Sequence, residues 1–186
     1  MHPDSRRARD LKLLDAVDSH PRRPFEGHLW RVAREGRDPL QGGRSASRWC
    51  NGTFDVLYTS LEREGAIAEI HALLGLQPVF PSKIAFRAHR ITVSVQQCLH
   101  LADLPDLATL GVDTARYQDR DYAKTQDIAD AAYFLGFEGL IVPSARWRCT
   151  NAVLFTDRID PARLALDVTE PGSVDWEDWR RRGRSG

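Results

Sequence analysis

Nothing in the composition tilts this chain toward a charged partner. Lys plus Arg and Asp plus Glu each number 26 in 186 residues, for a formal net charge of zero. No general field therefore favours nucleic acid or an anionic membrane, and any basic site must be local. Cysteine is scarce: Cys50, Cys98 and Cys149 are odd in number and lack metal-ligand spacing, which argues for a reducing compartment rather than a disulfide framework. The six histidines, at 2, 20, 28, 71, 89 and 100, show no HExxH or equivalent spacing, so no metal is expected. Long apolar runs are missing too. The charged start, Met1 to Arg9, is followed by none, so neither a signal peptide nor a membrane span is expected and the expected location is cytoplasmic. There is no internal repeat, and no nucleophile-elbow pattern surrounds Ser60 or Ser144.

What the chain does have is enough length for one domain, burying about 70% of the surface its unfolded form exposes. Leu11, Leu13, Leu14 and Val17 give residues 6–19 a modest helical pattern that ends before His20-Pro21-Arg22-Arg23-Pro24, so 1–24 reads as an appended helix and connector. Strands are expected at 28–33, 56–58, 84–91, 98–102, 139–142 and 151–155. Helices are expected at about 62–74, with Ala66, Ile67, Ile70, Leu73 and Leu74 on one side, and at 125–135, where Gly136 is placed to end it. The Asp, Pro, Gly and Tyr content of 103–123 predicts a loop with at most a short helical turn, long enough to be a lid or rim. Beyond Pro161 the chain reads as a polar tail, 161–186. The outline predicts an α/β or α+β fold: a single domain, 25–160, with one twisted mixed sheet flanked by helices.

Three kinds of chemistry concentrate between Gly42 and Leu74. Arg48, Tyr58 and Glu69 stand ten and eleven residues apart, at the end of a Gly/Ser/Arg loop, on a strand and on the rim of a helix. Gly36, Gly42, Gly43, Ser45 and Ser47 are expected to leave backbone N–H groups free for a ligand. Guanidinium forks match phosphate oxygens, although the loop has neither a P-loop nor a dinucleotide-fold pattern. Arg31, in mid-strand beside Trp30, fits either a solvent-facing position or a site. Glu69 fits either a solvated rim or a cleft.

In this order the motifs resemble the RES domain family. They are Trp30-Arg31, Arg48-Trp49, Leu57-Tyr58-Thr59-Ser60 and Ala68-Glu69, then Ala131-Ala132-Tyr133-Phe134-Leu135-Gly136 through Gly139-Leu140-Ile141-Val142-Pro143-Ser144 to Asn151. The chain departs from the family pattern where Ala46-Ser47 replace Gly-Gly before Arg48 and Cys50 stands in an Asn position. The resemblance implies a fold similar to ADP-ribosyltransferases and a bacterial toxin that breaks the nicotinamide–ribose bond of NAD. Glu69, Tyr58 and Arg48 would be catalytic, and Arg31, Arg48, Tyr58, Ser60, Ser144 and Asn151 would bind substrate. NAD would be a substrate rather than a cofactor, with inorganic phosphate, water or a protein side chain as acceptor. An Xre-like antitoxin is the implied partner, with room for a homo-oligomer within that complex. No direct contact with nucleic acid or membrane is implied. The loop 103–123 and the Trp176/Trp179 tail are candidate antitoxin contacts. A protein mono-ADP-ribosyltransferase, or a non-catalytic nucleotide- or protein-binding module, remains compatible with the same residues.

Overall fold

The computed structural model describes residues 8–182. Its first helix, α1 (Leu11–Asp18), is capped by Asp10, whose carboxylate accepts from the Lys12 and Leu13 amides. Leu13 and Val17, one turn apart, bury together against α4 (Ala123–Phe134). Residues 6 and 7 of the expected helical stretch lie outside the described residues.

Six strands follow: β1 (Arg23–Arg34), β2 (Val56–Ser60), β3 (Phe86–His100), β4 (Gly139–Pro143), β5 (Thr150–Phe155) and β6 (Leu164–Thr169). They run in the order β1-β2-β5-β4-β3-β6, and β1 also pairs with β3 from Arg23 to Arg34, so the pairing ring closes on itself. Only β3 and β4 are parallel. The β1–β2 seam is a single pair, Trp30 with Ser60. The mixed sheet is thus as expected, but wrapped around apolar residues such as Leu29, Leu57, Ile91, Ile141 and Leu154.

Two expected strands, 84–91 and 98–102, are one 15-residue strand. Alternation continues through Thr92-Val93-Ser94-Val95, with both valines buried. The polar Gln96-Gln97 pair, which interrupts the pattern, is where β3 passes from β1 to β4. There the Glu138 carboxylate accepts from both amides at 2.6 and 2.8 Å and is itself paired with Arg163 at 3.1 Å.

The 103–123 segment contains α3 (Leu104–Thr109), capped by Asp103, and a 3-10 turn at Thr114–Arg116. The stretch read as a polar tail supplies β6, paired along β3, and α5 (Trp176–Arg182). Trp176 and Trp179 are buried with α2 (Arg63–Leu74) and β1 residues. They are part of this domain's own core, which removes them as exposed partner anchors. Leu73, expected on the buried side of α2, is exposed, and Gly65 and Ala68 are buried instead. Gly65 is required by close approach, since a Cβ there would overlap Cys149 Sγ and Ser60 Oγ. That contact seats α2 against the start of β5 and fixes where its carboxylate points.

Candidate active site

Arg31 from β1, Tyr58 from β2 and Glu69 from α2 line one cleft of about 440 Å³, with Trp30, Ile70 and Phe86 on its apolar wall. The single-pair seam between β1 and β2 creates it: where the two strands part, side chains of β1, β2 and α2 meet an open space.

Glu69 is held on one side only. Its Oε1 accepts from Ser144 Oγ at 2.6 Å and from Asn151 Nδ2 at 2.9 Å, and Oε2 has no partner among the described residues. Ser144, at the end of β4, is locked in turn, because its Oγ also accepts from the Arg146 and Trp147 amides at 3.1 and 3.2 Å. Asn151, on β5, is buried, and its Oδ1 is left without a partner. Two strand-end groups therefore fix one carboxylate oxygen and leave the other as a directed acceptor or negative charge.

Arg31 is half-buried and forms no hydrogen bond or ion pair among the described residues. Burial, partly offset by the charge of Asp38, lowers its pKa to about 10. A guanidinium desolvated without a fixed partner is poised for an anion. Arg34 and Arg37 line the same cleft, likewise unpaired among the described residues, and its carboxylates are Asp38 and Glu69. Sequence reasoning missed both arginines; their signal is the three-residue repeat that starts at Arg31.

Tyr58 is a positioned phenol. Its hydroxyl shares a 2.6 Å hydrogen bond with Ser47 Oγ and accepts from the Trp49 amide at 2.8 Å, and burial pushes its pKa well above the ordinary tyrosine value. It stays neutral, with its ring in the cleft. Ser47, one of the departures from the family pattern, thus supplies a bond that glycine lacks. Cys50, the other departure, closes its own buried turn, donating to the Phe54 carbonyl and accepting from the Gly52 amide.

Three expected placements change. The Gly/Ser/Arg loop does not hold all its amides free: those of Gly43, Ser47 and Trp49 bond Val56 O, Cys50 O and Tyr58 Oη. Arg48 does not line the cleft. Its guanidinium lies 4.8 Å from the ring centres of both Tyr117 and Tyr122 and donates to the carbonyls of Tyr117 and Asp119, while burial lowers its pKa. It anchors the 117–122 strap, which Arg120 ties to the end of α2 through the Ala72 carbonyl at 3.2 Å. Ser60 is almost wholly buried, in contact with Cys149 Sγ and accepting from the Glu62 amide. It braces the entry to α2 and does not face the cleft.

The sequence profile of the RES domain matches residues 28–177. The chain belongs to the RES domain family. A probable NAD(+) phosphorylase of Mycobacterium tuberculosis is 32% identical over 171 residues, covering 87% of this chain and 81% of that protein. The NAD(+) phosphorylase MbcT of Mycobacterium bovis is 23% identical over 174 residues, covering 86% and 89%. Among solved structures, the M. tuberculosis MbcT-MbcA toxin-antitoxin complex contains a chain that superposes with a TM-score of 0.80 at 21% identity, over 94% of this chain and 98% of that one. That likeness establishes the fold. The RES match spans β6 and reaches into α5, elements that the residue pattern alone left as tail.

Among the described residues no His, Cys, Asp and Glu cluster could hold a metal ion, and no helix is long and apolar enough to cross a membrane.

Proposed function

We propose that this protein is an NAD-degrading toxin that cleaves the bond between nicotinamide and ribose and transfers the ADP-ribosyl group to inorganic phosphate. The observation that carries the reading is Glu69, pinned through Oε1 by Ser144 and Asn151 with Oε2 unpartnered, in a cleft shared with Arg31 and Tyr58. Departure of nicotinamide leaves an oxocarbenium-like ribose, and a preorganised carboxylate stabilises that charge as it develops. Arg31, aided by Arg34 and Arg37, holds the pyrophosphate. The rings of Tyr58, Trp30 and Phe86 pack against the planar base and sugar. Ser144 and Asn151 act through Glu69, as positioning residues. Arg48 acts through the strap that it anchors.

The relatives named as NAD(+) phosphorylases support phosphate as acceptor, and the solved toxin-antitoxin complex supports a protein antitoxin as partner. NAD is then a substrate, no further cofactor is required, and the enzyme works in the cytoplasm, where NAD is available. The 103–123 segment, tied to the end of α2 through Arg120, is the proposed antitoxin contact. Expressing the chain alone in a bacterial host tests this reading in the cell: growth arrest with falling NAD supports it. Normal growth at undiminished NAD, from soluble protein at good yield, refutes it and favours a binding module.

A further inference from the structure

A second cleft, of about 380 Å³, opens between the 3-10 turn of the 103–123 segment and the β4–β5 connection, and Ser144 and Arg148 are among its lining residues. Glu69 lines the first cleft, Ser144 lines the second, and a 2.6 Å hydrogen bond joins the two side chains. One hydrogen-bonded pair, Glu69 and Ser144, thus stands between the two openings.

The charges around them form two separate sets. Arg31, Arg34 and Arg37 belong to the first cleft. Arg148 is exposed in the second and forms no hydrogen bond or ion pair among the described residues; Arg146, in the same β4–β5 connection but not lining the cleft, is half-buried and its side chain is likewise unpaired among them. Arg146 is near enough to Arg48 for their charges to repel. The carboxylate that lines the second cleft, Asp119, is already engaged by Arg116 at 2.8 Å. Positive charge is thus in surplus there, against a floor that includes the apolar Leu104, Pro143 and Ala145. A desolvated wall strengthens guanidinium–oxyanion contacts.

A displacement with two anionic substrates needs two anion sites on either side of the reacting carbon. Resting on the reading of Glu69 given above, we propose that the second cleft is the acceptor site, where Arg148, with Arg146, binds free inorganic phosphate and delivers it to the ribose held in the first cleft. In the step, a phosphate oxygen forms a bond to the anomeric carbon as the carbon–nitrogen bond breaks. The bonding pair leaves on nicotinamide, which departs neutral, and the product is ADP-ribose phosphorylated at that carbon. The phosphate dianion loses one negative charge to the new ester bond as the pyridinium loses its positive one, so charge balances and the remaining phosphate proton stays on the product. Ser144 donates its only proton to Glu69, so it forms the partition between the clefts rather than a phosphate ligand.

Varying NAD and phosphate independently for the parent protein, Arg148→Ala and Arg146→Ala/Arg148→Ala tests the assignment. The KM for phosphate should rise about tenfold or more, as expected for loss of a charge-assisted contact, with the KM for NAD within about twofold of the parent. Arg148→Lys, which keeps the charge, should recover part of the phosphate affinity. An unchanged phosphate KM in both alanine variants overturns the proposal, and so does an equal rise in the NAD KM, which would assign Arg148 to the pyrophosphate. Phosphate-independent NAD consumption by the parent overturns this proposal, and with it phosphate as the acceptor, but leaves the reading of Glu69 standing. No NAD consumption under any condition overturns the reading of Glu69 as well.

Discussion

Replacing Ser144 by alanine removes the shorter of the two bonds that hold Glu69, at 2.6 Å, and leaves the 2.9 Å bond from Asn151. A hydrogen bond to a charged group contributes about 1.5–3 kcal/mol, and about 1.4 kcal/mol corresponds to a tenfold change in rate. If Glu69 must be fixed when the cationic ribose forms, kcat should fall about 10- to 100-fold, and KM for NAD should change little because the arginines proposed to hold the pyrophosphate are untouched. The same substitution also deprives the Arg146 and Trp147 amides of their acceptor, so a stability measurement must accompany the kinetics. Ser144→Thr keeps the hydroxyl and should recover most of the rate. A coupling cycle with Glu69→Gln sharpens the test: once the charge is gone, Ser144→Ala should cost far less than in the parent. Full kcat in a folded Ser144→Ala protein, or strictly additive losses in the cycle, would refute the idea that Ser144 works through Glu69.

Arg48→Ala should release the strap, giving faster amide exchange across 117–122 together with lower turnover, whereas a simple phosphate ligand would change NAD affinity and leave exchange unaltered. Gly65→Ala should destabilise the fold by about 1–3 kcal/mol, read as a lower Tm, because the new methyl meets Cys149 and Ser60 between packed elements. His71, His89 and His100 all have pKa values lowered by burial, with neighbouring arginines adding to the effect. The unfolded chain therefore takes up protons first. Stability should be intact above the ordinary histidine pKa, about 6.5, and decline as pH falls below it. His89→Gln, which preserves a partner for Thr169, should flatten part of that decline in thermal melts recorded between neutral and mildly acidic pH.

The rim position of Glu69 and the strand position of Tyr58 were legible because helix and strand periodicities differ, and each residue falls where its own period places it. What was not legible follows from long-range pairing. Gln96-Gln97 reads as a break because its alternation fails, yet the buried carboxylate of Glu138 satisfies those amides and the strand continues. Leu164 to Thr169 carries no fully buried side chain, since β6 pairs along one side of β3 and leaves Leu166 and Val168 exposed. A strand that contributes backbone bonds more than core looks like tail. Arg48 was conspicuous as a cation in a glycine-rich loop, but its nearest acceptors, the Tyr117 and Asp119 carbonyls, lie about seventy residues away in sequence. Arg34 and Arg37 carry no mark in the sequence as site residues because the cleft that gathers them depends on the single-pair seam between β1 and β2.

The role proposed for Glu69, driving cleavage of the nicotinamide–ribose bond, is open to direct measurement. Measuring nicotinamide release from NAD in phosphate buffer by parent and Glu69→Gln proteins of equal thermal stability tests it directly. The parent should yield stoichiometric nicotinamide and phosphorylated ADP-ribose, and the variant a rate at least about 10²-fold lower, the loss typical of removing one electrostatic stabiliser. Equal rates in the two proteins, or a parent that leaves NAD intact, would contradict it.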